Sequence, residues 1–504
     1  MQKLLPDDPS DRQLVAHVHP DDWVNPEPKL RYHLVVIGGG TAGLVSAAGA
    51  AGLGAKVALV ERDLLGGDCL NLGCVPSKAL LRSAKAAHDA RSANRFGVPH
   101  AEGDIDFAEV MMQMRALRAG IAHHDSARRF RDLGVDVYLG AARFEGADAI
   151  DVGGATLRFK KAVVATGARA SAPPIPGLAD VPYLTNETLF SLTSLPRSML
   201  VVGAGPIGVE MAQAFARFGS EVTLVDVESR VLPRESEDAS AIVGRALDAD
   251  GVRLLLPVSE LAFRQDGDVT RVSLDVDGKR RELSVERVLV AAGRKPNVEG
   301  LGLEDAGVRF DPRTGVVVDD TLRSVTNRNV FAAGDVASKF QFTHTADAHA
   351  RIVIRNALFG LLPKQKASDL VVPWVTYSDP EVAHVGHGPE SAAAAGIELE
   401  TFRVSLDAVD RAILDRDTDG FLDVHVRAGS DEIVGATMVA RHAGETISEL
   451  TTAIVHGIGL GELASVIHPY PTQAEAIKKA ADAYNRTRLT PLAKRLLGFL
   501  MGRA

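Results

Sequence analysis

The stretch His33-Leu-Val-Val-Ile37-Gly38-Gly39-Gly40-Thr41-Ala42-Gly43 decides the fold. Its apolar, β-branched opening reads as a buried strand, and the glycines lead into a small-residue helix over 44–53. A second strand, 56–60, then ends on Glu61. In such a βαβ unit Gly38 allows the tight turn, Gly40 lets a pyrophosphate approach the backbone, and Gly43 permits close helix–strand packing. The helix amino terminus faces the phosphates, and Glu61 can accept from ribose hydroxyls. Glycine spacing alone is a weak signal; strand, helix, second strand and acid in order make a strong one.

The unit recurs. Met199-Leu-Val-Val202 runs into Gly203-Ala204-Gly205-Pro206-Ile207-Gly208-Val209-Glu210, a helix to Phe218, a strand over 221–225, and Asp226. From first glycine to terminal acid the offset is 23 residues in both copies. Two dinucleotide sites imply two cofactors and electrons passing between them. Three further strands end on glycine: 163–167 (with Thr166 and Gly167), 289–293 (ending at Gly293) and 330–334, followed by Asp335, an acid placed to bond a polyol. The second nucleotide domain is therefore expected to be inserted in the first. From about Val371 short strands alternate with helices (444–456, 472–486) and no phosphate loop returns. The expected fold is α/β, with two Rossmann-like domains, one inserted in the other, then an α+β domain. The boundaries read as 1–31 (extension), 32–172 with 297–368 (first nucleotide domain), 173–296 (second), 369–487 (α+β domain) and 488–504 (tail).

Between the glycine loop and the next helix lies Gly66-Gly67-Asp68-Cys69-Leu70-Asn71-Leu72-Gly73-Cys74-Val75-Pro76-Ser77-Lys78, which holds both cysteines of the 504-residue chain. Buried cysteines are ordinary core residues. Two in one glycine-rich segment, close enough for a small-loop disulfide, read instead as a redox pair. Gly73 and Pro76 are expected to set a turn before a helix over 77–88. A thiol at a helix start feels the positive end of the macrodipole, which favours the thiolate.

Charge and composition bound the rest. A net charge of −9 leaves no basic surplus for nucleic acid. No run approaches the ~20 apolar residues needed to cross a bilayer, and the first residues lack a secretion-signal core. With two cysteines a structural disulfide scaffold is excluded, and a reducing cytoplasm is expected. Residues 1–30 are polar and proline-bearing. His17 and His19 there lack further metal ligands and read as part of a solvated extension, and no metal site is expected elsewhere.

With dithiol, two fingerprints and a third domain in this order, the chain resembles the class I pyridine nucleotide–disulfide oxidoreductases, over roughly Tyr32 to Asn485. The resemblance implies FAD on Gly38, Gly40, Gly43, Glu61, Lys78, Ala142, Thr166, Gly167 and Asp335. It implies NAD(P)H on Gly203, Gly205, Gly208, Glu210, Asp226 and Gly293, and a homodimer formed through the third domain. Lys78 is similar to the lysine that approaches the flavin nitrogen, paired with Glu210. Such a cation needs a carboxylate partner and stabilises a reduced, anionic flavin. By the same resemblance Cys74 faces flavin and Cys69 faces substrate. Asp226 favours NADH, because a carboxylate there bonds the 2′-hydroxyl and repels a 2′-phosphate. Arg230 either softens that preference or faces solvent.

One departure bears on the substrate. Family members acting on glutathione or lipoamide carry a histidine directly before Pro-Thr-x-x-Glu. Here Ile467-His468-Pro469-Tyr470-Pro471-Thr472-Gln473-Ala474-Glu475 puts Tyr470 in the base position. With a pKa near 10, tyrosine is a poor base. Mercuric reductases are similar in this respect, and metal delivery to thiolates needs ligand exchange rather than protonation of a thiol leaving group. Tyr183 resembles a pocket tyrosine of that subfamily, or else packs between domains. Mercuric reductases also carry a vicinal cysteine pair near the carboxyl terminus and an amino-terminal metal-binding domain, which this sequence does not match.

The expected activity is transfer of electrons from NAD(P)H through FAD to Cys69–Cys74, and on to a soft metal ion or small disulfide. One alternative is a dihydrolipoamide dehydrogenase-type or glutathione reductase-type enzyme using His468 as a displaced base; another is a flavoprotein with mainly an interaction role. In the tail, Lys494, Arg495 and Arg503 join Leu492, Leu496, Leu497, Phe499 and Leu500 in a basic amphipathic stretch. It suits a membrane surface, a partner, or the chain's own dimer.

Overall fold

The computed structural model describes residues 4–100 and 103–502; Arg503 of the expected tail lies outside them. The chain divides into two compact units. One gathers the residues up to Gly203 with Ala214–Thr223 and Ser259–Leu370. The other gathers Ala204–Gln213, Leu224–Val258 and the residues from Val371 on.

The first unit is built on a seven-stranded sheet in the order Val135–Leu139, Val57–Glu61, Tyr32–Ile37, Ala155–Val164, Ala149–Val152, Ala142–Phe144, with Val330–Ala332 also pairing with Ala155–Val164. The central strands are parallel, Val36 lying opposite Leu59 on one side and Val163 on the other. All of Leu34–Ile37 is buried, as a parallel sheet covered on both faces requires. The helices Thr41–Gly52 and Thr343–Leu358 pack together so closely that a Cβ on Gly49 would stand 2.6 Å from Ile354 Cδ1. Ser198–Val202, Arg287–Val290 and Tyr183–Leu184 form a second parallel set. The α/β expectation is met.

The extension differs from its reading as a solvated loop. Pro9–Val18 is a helix, capped by the Asp8 carboxylate on the Asp11 N–H (2.8 Å). Its Leu14 and Val18, a turn apart, enter the same core as Leu34, Leu59 and Val137. His17 lies in this helix, and His19 pairs through Nδ1 with the carbonyl of Asp63. Beyond it, the Trp23 indole donates to Val137 O and the Asn25 amide bonds both N–H and C=O of Leu139. These side chains satisfy the free edge of strand Val135–Leu139, which would otherwise present unpaired backbone groups.

In the second unit a five-stranded antiparallel sheet runs Pro373–Thr376, Glu381–Gly386, Ile433–Ala440, Phe421–Arg427, Leu399–Ser405. Ile433–Ala440 is buried throughout. The helices Ala443–His456 and Glu475–Thr487 supply Ile447, Leu450, Ile477 and Ala480 to its core. Among the described residues, no helix is long and apolar enough to cross a membrane.

Candidate active site

The first glycine loop forms because side chains would not fit. Gly38 has φ +108°, and a Cβ there would stand 2.3 Å from Ala165 O; one on Gly43 would stand 1.8 Å from Gly38 O. No side chain caps the helix Thr41–Gly52 at Gly40, which leaves its first turn suited to a phosphate. The Glu61 carboxylate accepts from the Gly39 N–H (2.5 Å) and from the Asp63 N–H (2.7 Å). Burial pushes its pKa up, against those two bonds. This glycine cradle with an acid at its rim fits a dinucleotide. Thr166 and Asn297 are cross-bonded (2.7 and 2.9 Å) behind Gly167, which has φ +67°. Ala142 begins a strand and is buried.

The dithiol segment packs on this loop, backbone against backbone. A Cβ on Gly67 would come within 2.7 Å of Gly40 Cα. Cys69 sits in the short helix Gly67–Asn71, and Cys74 is the first residue of Cys74–Arg91. That helix opens three residues before the expected Ser77: Pro76 falls in its first turn, where no N–H is needed. Lys78 follows Cys74 by one turn, on the same face.

Both cysteines are free thiols, Cys69 half-buried and Cys74 exposed. A hydrogen bond to Cys74, together with burial, pushes the Cys69 thiol well up. That shift holds the proton on Cys69. Cys74 Sγ lies 3.4 Å from Thr343 Oγ1.

Several neighbours were not singled out from the sequence. Arg294 donates to Asp68 (2.6 Å), Ala168 O (2.9 Å) and Asp335 (3.5 Å). Burial opposes its charge, but Asp68 and Asp335 outweigh that, and Cys74 adds to the same side. Burial raises the Asp335 carboxyl, opposed by Arg294. Arg118 bridges Asp11 (2.6 Å) to the carbonyl of Asn71 (2.8 Å), tying the amino-terminal helix to the loop between the cysteines. The Asn186 amide donates to Leu72 O (3.2 Å) in the same loop. Asp68, beside Cys69, and Asp335, after its strand-ending glycine, were the local signals of this network.

The second fingerprint repeats the first. Gly203 has φ +112°, and a Cβ there would meet Ala291 O at 2.8 Å. Asp226 accepts from the Ala204 N–H (2.5 Å) and the Glu228 N–H (3.1 Å), as Glu61 does in its loop. A Cβ on Gly205 would meet nothing within 4 Å, and one on Gly293 would meet only Ser171 O at 3.6 Å. Gly208 lies buried in the helix Pro206–Phe218. Buried Glu210 accepts from the Tyr377 N–H (2.9 Å). Arg230 turns back onto Glu237, Pro233 O and Glu235 O. Tyr183 lies half-buried in its short strand.

In the last segment Tyr470 is 71% exposed and its hydroxyl donates to Asp410 (2.8 Å), which raises its pKa. His468 Nε2 meets Glu449 Oε1 at 2.8 Å, and its Nδ1 faces Val466 O. Glu475, the residue of the motif expected to orient a base, pairs with Lys479 (2.9 Å), while its Oε2 is buried without a partner. Glu449, far from the motif, takes the histidine instead. Among the described residues no group of three or more His, Cys, Asp and Glu is placed to hold a metal.

The pyridine nucleotide-disulphide oxidoreductase family matches residues 32–350, and its dimerisation domain matches 372–481, which supports a homodimer. The chain is 35% identical to a mercuric reductase of Bacillus cereus over 481 residues, covering 95% of this chain and 76% of the relative. It is 33% identical to a dihydrolipoyl dehydrogenase of Thermus scotoductus over 467 residues, covering 90% and 98%. The HOCl-induced flavoprotein disulfide reductase RclA of Escherichia coli, solved as a Cu(II) complex, superposes with a TM-score of 0.77 at 28% identity, covering 88% of this chain and 98% of that one. The chain belongs to the class I pyridine nucleotide–disulfide oxidoreductases, and is an FAD-dependent oxidoreductase that uses NAD(P)H.

Proposed function

We propose that this enzyme takes two electrons from NADH into the Cys69–Cys74 pair and delivers them to a soft metal ion. The observation that carries this reading is the dithiol packed on the first glycine loop, with Arg294 and Thr343 beside it. Bound at Gly38, Gly40, Gly43, Glu61, Lys78, Ala142, Thr166, Gly167 and Asp335, FAD supplies two-electron exchange between a nicotinamide hydride and a disulfide. Gly203, Gly205, Gly208, Glu210, Asp226 and Gly293 hold the nicotinamide cofactor. The domain boundaries from the sequence go with this assignment, 173–296 being the NADH-binding insert. NADH is favoured because Asp226 ends its strand while Arg230 is held by its own turn.

The residues then act in order. The disulfide takes up two electrons and a proton, giving Cys69 as thiol and Cys74 as thiolate, charge that Arg294 stabilises. On losing that one proton from Cys69 the pair ligates a soft cation through two sulfurs, as thiolates prefer, and passing its two electrons to the cation re-forms the disulfide. Tyr470, its phenol proton held on Asp410, accepts no proton, and ligand exchange needs no such transfer.

A second reading is supported by the His468–Glu449 pair, a carboxylate-oriented imidazole suited to proton transfer. Here the substrate is a small disulfide. Cys69 thiolate attacks it, one thiol leaves with a proton from His468, and Cys74 attacks Cys69 to expel the second and restore the disulfide. An anaerobic panel of Hg(II), oxidised glutathione, lipoamide and quinones, each with NADH and NADPH, separates the readings. NADH-driven Hg(II) reduction that survives His468→Ala is expected. Lipoamide or glutathione turnover abolished by that change, without Hg(II) reduction, overturns the metal reading in favour of the second.

A further inference from the structure

The carboxy-terminal helix Pro491–Met501 is built differently from every helix in the two cores. It has a sound start, Thr490 accepting from the Ala493 N–H (3.2 Å) with Pro491 in the first turn. None of its residues is buried. Leu492 is 77% exposed, Leu496 59%, Phe499 55%, Leu500 57% and Met501 72%. At about 100° per residue, Leu492, Leu496, Phe499 and Leu500 share one face, and Leu497 and Met501 extend it to roughly 200° of the helix surface. Pro491, Lys494, Arg495 and Gly498 occupy the remainder.

Charge selects the occupant of this face. The chain as a whole carries −9, yet after Asp482 no acidic residue occurs, while Arg486, Arg488, Lys494 and Arg495 do. A wide apolar face bordered by cations that can reach out past it suits an interface between headgroups and acyl chains, whereas a protein groove takes a narrower stripe. Eleven residues span about 16 Å, half the thickness of a bilayer core, so the helix lies along a membrane and does not enter it end-on. We propose that Pro491–Met501 seats this oxidoreductase on an anionic phospholipid surface. One such helix on each subunit of a homodimer gives two attachments, which raises the retention of a weak single anchor.

The test is flotation of the FAD-loaded full chain with vesicles of phosphatidylcholine and phosphatidylglycerol, against phosphatidylcholine alone. Binding is expected on the anionic vesicles only. It should weaken about fivefold with Lys494→Gln and again with Arg495→Gln. Leu496→Glu should abolish it. All three variants should keep the NADH-reducible thiols and the oligomeric state of the parent in sedimentation. Absence of flotation, equal flotation with both vesicles, or flotation indifferent to these substitutions overturns the proposal. A shift to monomer in Leu496→Glu also overturns it, by assigning the helix to the chain's own dimer.

Discussion

Arg294 and Asp68 meet at 2.6 Å across 226 residues of sequence, Asp68 being the residue next to Cys69. Arg294 is stabilised by Cys74, and by reciprocity it stabilises thiolate there. Replacing Arg294 by Gln removes that cation and leaves Asp68 and Asp335 to repel the sulfur. The rate of iodoacetamide reaction with reduced enzyme at neutral pH should fall about tenfold, the equivalent of one unit in thiolate titration. An unchanged rate would detach Arg294 from the chemistry. Cys69 supplies the pH dependence. Its folded pKa is raised, so its proton contributes stability to the reduced form below the ordinary thiol range, near 8.5, and that contribution is lost as pH climbs above it. The glycines and acids of the fingerprints were legible because their spacing is local. Arg294, Thr343 and Arg118 were not, since they reach the dithiol only through the fold.

At the scale of elements, the amino-terminal helix is where reading and structure differ most. Asp8-Pro9-Ser10-Asp11 carries the marks of a helix start, a capping carboxylate and then proline, but prolines around it favoured a loop reading. What holds the helix in place is long-range: Leu14 and Val18 in the sheet core, and the Arg118–Asp11 pair with both side chains 2% exposed. Asp11→Ala leaves a buried guanidinium without its partner and should cost about 3–5 kcal/mol, read as a lower midpoint in urea unfolding. Adding Arg118→Leu removes the stranded charge and should recover most of the loss. If the double variant is no better than the single, the helix is held by packing alone. Elsewhere the elements follow their sequence signals within a few residues. Glu475–Thr487 starts three residues after the expected Thr472, because the Thr472 hydroxyl bonds Pro469 O in a turn.

For the whole molecule, two fingerprints and one dithiol define a path for electrons that ends on sulfur, and the family match agrees with it. The fold class was legible throughout because each strand–glycine–helix unit carries its own signal; the acceptor was not, because it depends on groups distant in sequence. The second unit exposes Ile467 and Tyr470, 93% and 71% accessible, within the matched dimerisation domain. The central claim is that electrons from NADH arrive on Cys69 and Cys74. It is tested most directly by anaerobic titration of the FAD-loaded enzyme with NADH, followed by alkylation and mass spectrometry. The account predicts that both cysteines become alkylated only after reduction, with a long-wavelength band from thiolate beside flavin that is absent in Cys74→Ser. Flavin reduction with no newly alkylated cysteine and no such band would contradict it.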